Sequence, residues 1–319
     1  MMMDKPLRVL AITNMYPSKE NPGDSPAVKD QVEMLRKFGL DVDLMIIERN
    51  RMINYLKAGW QIFKTNFKPK KYDILHGYYG HCGAIACAQF HSPVIVTFRG
   101  SDILTLKDGW IGQIAARLAK RVVVMSQEMK SKSLRKDAFI IPFGVELSVF
   151  HPQDTAAARQ ELGYDQGTKY ILFPYDPSRS VKRIDIAREM ITELNLRGMK
   201  SELVILHSES PEKVARTMNA CDLLILTSDH EGSPMAVREA MACNLPIVST
   251  DVGDVKELLN GVEESAIAAQ DANALADASE KILKSGKRSN GSVKIAPYSN
   301  RFYTEKIVQI YQGMVSHGK

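Results

Sequence analysis

Residues 227–242 read Thr-Ser-Asp-His-Glu-Gly-Ser-Pro-Met-Ala-Val-Arg-Glu-Ala-Met-Ala and follow the apolar run Leu223–Leu226. The apolar run has the length of a buried strand, and Ser233 followed by Pro234 predicts an N-cap with proline at the first helical position. A strand therefore turns directly into a helix. In a parallel α/β sheet such a turn lies at the carboxyl ends of the strands, where the free N–H groups of the helix and its dipole favour an anion such as a phosphate. Gly232 lets a ligand approach the backbone, and Glu231 and Glu239 stand on either side of the helix start. Glu239 lies about 7–8 Å further along the axis than Pro234 at 1.5 Å per residue. Two carboxylates so placed suit two ends of a polyhydroxylated ligand, because charge-assisted hydrogen bonds to hydroxyls are the strong ones. They suit a capped helix with a solvated glutamate equally.

Working outward, short apolar runs recur at the spacing of strand–helix–strand units. In the first half they are Val9–Thr13, Val42–Ile47, Ile74–Leu75, Val94–Phe98, Val122–Met125 and Phe139–Pro142. A second series comprises Tyr170–Phe173, Leu203–Leu206, Leu223–Thr227, Ile247–Ser249 and Ala266–Ala269. The runs are continuous rather than alternating, as strands covered on both faces by helices must be. The prediction is an α/β protein of two Rossmann-like, doubly wound domains facing across a cleft, spanning residues 1–152 and 153–298. Residues 299–319 carry a helical pattern (Tyr303, Ile307, Val308, Ile310, Tyr311, Met314) that predicts a helix crossing back to the first domain.

Composition narrows the function. The chain has 319 residues, 45% of them hydrophobic, and a net charge of +5, which fits about two globular domains. Four scattered cysteines (Cys82, Cys87, Cys221, Cys243) make neither a disulfide scaffold nor a zinc site. With no secretory signal pattern and no apolar run of eighteen residues, the expectation is a cytoplasmic protein. No G-x-G-x-x-G follows the first strand, and Gly77, Gly80 and Gly83 have the wrong spacing, so NAD is not expected. No P-loop occurs either, and Asp41-x-Asp43 reads as a solvated strand end. The front half holds most of the positive charge, and from Arg49 to Lys71 there are seven cations and no acid, interleaved with Met52, Ile53, Leu56, Trp60, Phe63 and Phe67. That pattern describes either a basic amphipathic helix lying on an anionic membrane or a surface helix whose stripe packs on the core. The charge balance is too mild for nucleic acid.

Glu231-x7-Glu239, in the setting EGSPMAVREAMACNLPIVSTDVGDVKELL, resembles the signature of family 4 retaining glycosyltransferases of the GT-B fold. Val9–Val32, Pro93–Asp102 (PVIVTFRGSD), Ile141–Phe150 (IPFGVELSVF) and Ala220–Ser228 (ACDLLILTS) resemble the same family in the same order, and within it the sequence is most similar to cell-surface polysaccharide enzymes of the teichuronic-acid-biosynthesis type. The resemblance implies transfer of a hexose-type sugar from a nucleoside-diphosphate sugar to the hydroxyl of a glycan or lipid-linked acceptor, with retention and with no metal or other cofactor. By the same resemblance, Glu231 contacts the donor sugar, Glu239 holds the ribose, and the backbone of Gly232, Ser233, Pro234 and Met235 meets the sugar and diphosphate. Arg179 and Lys182 then grip the diphosphate. Asp176 stands where many members have an arginine, and Arg99 where many have a histidine; an arginine stays protonated and is no general base. Asn14, His81, Arg99, Ser101 and Asp102 are the candidates for the cleft and acceptor side. A non-catalytic nucleotide-sugar-binding subunit, or a phosphorylase or epimerase of the same fold, are the alternatives that the residues leave open.

Overall fold

The computed structural model describes residues 5–18, 24–49, 51–104 and 106–316. These residues form two compact units, one built on residues up to 144 together with the segment from 300 onward, the other on residues 145–299. The chain leaves the first unit between Gly144 and Val145, so residues 145–152, assigned to the first domain on sequence, belong to the second. The cause is local: Val145 bridges Ser299, and its N–H bonds the Tyr298 carbonyl at 3.0 Å.

The first unit alternates β1 (Arg8–Thr13), α1 (Pro26–Lys37), β2 (Asp41–Ile46), α2 (Met52–Lys64), β3 (Ile74–Tyr78), α3 (Gly80–Ala86) and β4 (Val94–Thr97). It continues through α4 (Ser101–Leu104), α5 (Leu106–Leu118), β5 (Arg121–Val124), α6 (Gln127–Lys132) and β6 (Phe139–Ile140). The strands make one sheet in the order β2-β1-β3-β4-β5-β6, every pairing parallel. The glycines of the Gly77–Gly83 stretch serve packing: a Cβ at Gly77 would lie 2.5 Å from the Gly83 Cα, so β3 and α3 touch backbone to backbone.

The second unit holds α7 (Thr155–Leu162), β7 (Lys169–Phe173), α8 (Ile184–Leu196), β8 (Ser201–Ile205), α9 (Pro211–Ala220), β9 (Leu223–Leu226) and α10 (Met235–Ala242). It continues with β10 (Ile247–Ser249), α11 (Val255–Leu259), β11 (Ser265–Ile267), α12 (Ala272–Ser285) and α13 (Gly291–Ile295). Its sheet runs β11-β10-β9-β7-β8, again all parallel. Leu172, Leu224 and Leu226 pack on one face with α9 and α10, while Ile171, Phe173, Leu223 and Ile225 pack on the other with α8 and α12. Burial on both faces is what makes the strand sequences continuously apolar.

The last helix, α14 (Asn300–Ser316), packs on α1 in the first unit. Its Tyr311 hydroxyl lies 2.6 Å from His76 Nδ1 on β3, and His76 Nε2 lies 2.7 Å from Thr97 Oγ1 on β4. His76 is fully buried, and burial pushes its pKa down to about 3. The unfolded chain binds this proton near pH 6.5 and the folded chain does not, so the stability His76 contributes is present above pH 6.5 and lost as pH falls toward 3. Linkage sets the loss at about 2 kcal/mol between pH 7.5 and pH 5. Urea denaturation of the parent and of His76→Gln at those two pH values tests this. The parent is expected to lose more stability than the variant by about that amount, and equal losses would refute the assignment.

Candidate functional site

At the carboxyl end of β9, the buried Thr227 and Ser228 lead into the Asp229–Pro234 turn and then α10. Sequence placed the N-cap at Ser233; in the structure Pro234 occupies it, with no side-chain cap. Ser233 is engaged elsewhere. Its hydroxyl donates to Asp254 Oδ2 at 2.8 Å and accepts from Arg238 Nη2 at 3.0 Å and Nε at 3.2 Å. Arg238 is only 1% exposed, and its Nη2 meets Asp254 Oδ2 at 2.5 Å. A buried guanidinium without such a partner would cost several kcal/mol. Burial raises the Asp254 pKa, and Arg238 and Ser233 counter it. Gly253, at φ +58°, lies against the turn: a Cβ there would come 2.8 Å from the Gly232 carbonyl oxygen. The Gly232–Pro234 backbone is thus held from the side of α11, and among the described residues the first N–H groups of α10 have no side-chain cap.

Lys182 lies in the short turn Ser180–Lys182 after β7. Its Nζ is 2.5 Å from Glu231 Oε1 and 3.8 Å from the centre of the Tyr175 ring. Ser228 Oγ donates to the same carboxylate oxygen at 2.9 Å. The turn is tied to the end of β9, for Thr227 Oγ1 donates to the carbonyls of Lys182 (2.8 Å) and Arg183 (2.9 Å). The Asp229 N–H also donates to the Val181 carbonyl at 2.9 Å. Burial lowers the Lys182 pKa, and the Glu231 charge opposes the shift. Arg179 is exposed, with no ion pair among the described residues. Glu239 is half-buried on α10, and Met235 is half-buried at its start.

Tyr175 ties these residues together. Burial pushes its phenol well above the ordinary value; the charges of Glu231 and Glu239 raise it further and Arg179 lowers it. The four predicted donor-side residues, Arg179, Lys182, Glu231 and Glu239, therefore all act on one ring. Sequence reasoning did not single out Tyr175, Arg238, Asp254 or Gly253. The proximity of Tyr175 to Lys182 in sequence was the one available signal.

In the first unit, Asn14 follows β1 and donates from Nδ2 to the Tyr55 hydroxyl at 2.9 Å; its buried Oδ1 has no hydrogen-bond partner among the described residues. The His81 ring lies 5.8 Å from that of Tyr55 and 6.0 Å from that of Tyr79. Asn14 and His81 thus share a cluster, to which α2 contributes Tyr55. Asp102 has a different role. It is fully buried and accepts from the backbone N–H groups of Gly100 (2.8 Å), Gly80 (2.9 Å) and Arg99 (3.0 Å), so its carboxylate is spent on holding two turns. The Arg99 guanidinium bonds the Ser25 hydroxyl and lies 4.9 Å from the centre of the Phe143 ring; burial lowers its pKa and Asp102 opposes this. Ser101 opens α4, and its side chain lies outside the described residues.

Two parallel sheets of six and five strands, each wrapped by helices, are the arrangement of the GT-B fold. The family described as Glycosyl transferases group 1 matches residues 183–285. An uncharacterised glycosyltransferase of Methanocaldococcus jannaschii is 26% identical, over 67% of this chain and 66% of its own length. The teichuronic acid biosynthesis glycosyltransferase TuaC of Bacillus subtilis is 23% identical, over 85% of this chain and 88% of its own. Among solved structures, HepE of Anabaena in complex with UDP superposes with a TM-score of 0.69 at 14% identity, covering 96% of this chain and all of that one.

Proposed function

We propose that the protein transfers a hexose-type sugar from a nucleoside-diphosphate sugar to an acceptor hydroxyl with retention of configuration, in cell-surface polysaccharide or glycolipid synthesis. The observation that carries this reading is the Lys182–Glu231 pair under Tyr175, beside the uncapped start of α10. A diphosphate entering there gives Lys182 a second anionic partner and gives the open N–H groups of α10 the acceptor they lack. Glu231 is then released from the lysine to accept from sugar hydroxyls, and Glu239 accepts from the ribose. As the bond from the sugar C1 to the diphosphate oxygen breaks, negative charge grows on the leaving group. Lys182, Arg179 and the helix start meet it without a metal. The acceptor oxygen bonds C1 on the face that the diphosphate leaves, and the departing phosphate oxygen takes the acceptor proton. The reaction is placed in the cytoplasm, at a membrane face where the acceptor is lipid-linked.

The test is a thermal-shift panel of UDP, GDP, ADP, CMP and their common sugar conjugates, with Glu239→Ala and Lys182→Ala as controls. A ligand at about 100 times its dissociation constant adds roughly 2.7 kcal/mol of stability. One nucleoside diphosphate is expected to raise the melting temperature of the parent and to do so less in both variants. No shift with any nucleotide would remove the donor site. Turnover in excess EDTA tests the metal-free step, and the anomeric configuration of the product tests retention.

A further inference from the structure

The helix α2 turns its apolar stripe outward. Only Ala58 and Ile62 are buried in it, whereas Met52 is 72% exposed, Leu56 64% and Trp60 57%; beyond its end Phe67 is 78% exposed. Ile53, Leu56, Trp60, Phe63 and Phe67 recur every three or four residues along one side, opposite the core-facing Ala58 and Ile62. Trp60, Phe63 and Phe67 form a ladder with ring centres 5.5 and 5.6 Å apart. Phe90, 79% exposed, is fastened beside its end, because its N–H donates to Asn66 Oδ1 at 2.9 Å and Asn66 Nδ2 donates to the Ala88 carbonyl at 3.1 Å. A row of large apolar side chains held in water in this way calls for a partner.

The charges around it name the partner. Arg49 is paired with Asp24 (2.7 Å) and Lys71 with Asp43 (3.0 Å), so the ends of the basic segment are neutralised. Arg51, Lys57, Lys64, Lys68 and Lys70 are exposed and have no ion pair among the described residues. Lys68 and Lys70 also line a cavity of about 750 Å³ together with Leu44 and Ile62. A second copy of this face would set five cations against five, which disfavours self-association. Nucleic acid offers nothing to Met52, Ile53 and Leu56. An anionic bilayer satisfies both sets of groups, with phosphates for the cations and the acyl boundary for the aromatic and aliphatic residues.

We propose that α2, the segment through Lys70, and Phe90 dock the protein on bilayers containing anionic phospholipid. The docked helix carries Tyr55 on a different side from the stripe, where it accepts from Asn14. A helix is about 10–12 Å across, so docking holds the Asn14–Tyr55–His81 cluster roughly one helix diameter from the headgroups. If the transferase reading holds, this is where the polar end of a lipid-linked acceptor meets the enzyme.

The experiment uses the full chain with Trp110→Phe, which leaves Trp60 as the sole tryptophan, and vesicles of phosphatidylcholine with or without phosphatidylglycerol at low salt. Co-sedimentation with the phosphatidylglycerol vesicles and a blue shift of Trp60 emission are expected. Lys57→Gln, Lys64→Gln and Lys68→Gln together should weaken partitioning about a hundredfold, at about fivefold for each cation. Leu56→Ser with Phe67→Ser should abolish the blue shift while the melting temperature stays at that of the parent. No partitioning to anionic vesicles, or partitioning unchanged by the lysine substitutions, would overturn the proposal. So would a concentration-dependent dimer by light scattering that Leu56→Ser with Phe67→Ser disperses. Vesicle binding needs no donor nucleotide, so its failure and the failure of the transferase reading are separable.

Discussion

In Lys182→Ala, kcat for sugar transfer is expected to fall by about two to three orders of magnitude, as when one preorganised donor to a developing anion is removed. The argument starts from the 2.5 Å pair with Glu231 and the Tyr175 ring at 3.8 Å, which hold the ammonium in one place before any ligand arrives. Loss of the lysine also strands the Glu231 carboxylate in a site that is mostly closed to water. Breaking a buried pair costs about 3–5 kcal/mol. Stability and catalysis therefore have to be separated. In Lys182→Met with Glu231→Gln no charge is left unpaired, and the melting temperature is expected to return close to that of the parent while transfer stays down. Steady-state kinetics on the folded double variant, set against Glu231→Gln alone, decides the matter. Recovery of transfer alongside stability would make Lys182 a structural residue only.

Arg238→Ala is expected to be among the most destabilising single changes in the second unit. It removes the partner of Asp254 and both donors to the Ser233 hydroxyl, and breaking such a pair costs about 3–5 kcal/mol. For a protein of this size that lowers the melting temperature on the order of 10 °C. Affinity for a nucleoside diphosphate should fall as well, because the Ser233–Asp254 bond at the start of α10 loses the guanidinium that holds both groups in place. Arg238→Met with Asp254→Leu leaves no buried charge, so it should regain most of the stability without regaining the affinity. Calorimetry with and without nucleotide measures both. A melting temperature like that of the parent in Arg238→Ala would show that the pair contributes nothing net.

The strands were readable because parallel sheets bury both faces, and ten of the predicted runs match their strands to within two residues at either end. The exception is β3. It extends from the predicted Ile74–Leu75 to Tyr78, because His76, Gly77 and Tyr78 do not look like strand residues until Thr97 and Tyr311 satisfy the imidazole and α3 packs on the glycine. Arg238 was invisible for a related reason: an arginine in a helix reads as a solvent-facing residue, and the acid that buries it is sixteen residues further on, in another element. Ser233 looked like a cap because nothing local reveals that its hydroxyl is already committed. The two readings of Arg49–Lys71 could not be separated by spacing alone. Both faces of α2 carry helical periodicity, and only burial distinguishes the one that packs.

The return of α14 to the first unit has a consequence for the order of assembly on the ribosome. Residues 145–299 form an uninterrupted insert, while the first unit is split between the segment before that insert and a helix that is made after it. The second unit can thus complete its core while the first still waits for Tyr303 and Tyr311, inverting the usual N-terminal-first sequence. Until that helix arrives His76 lacks its Tyr311 partner, so the nascent first unit remains the part of the chain most in need of protection.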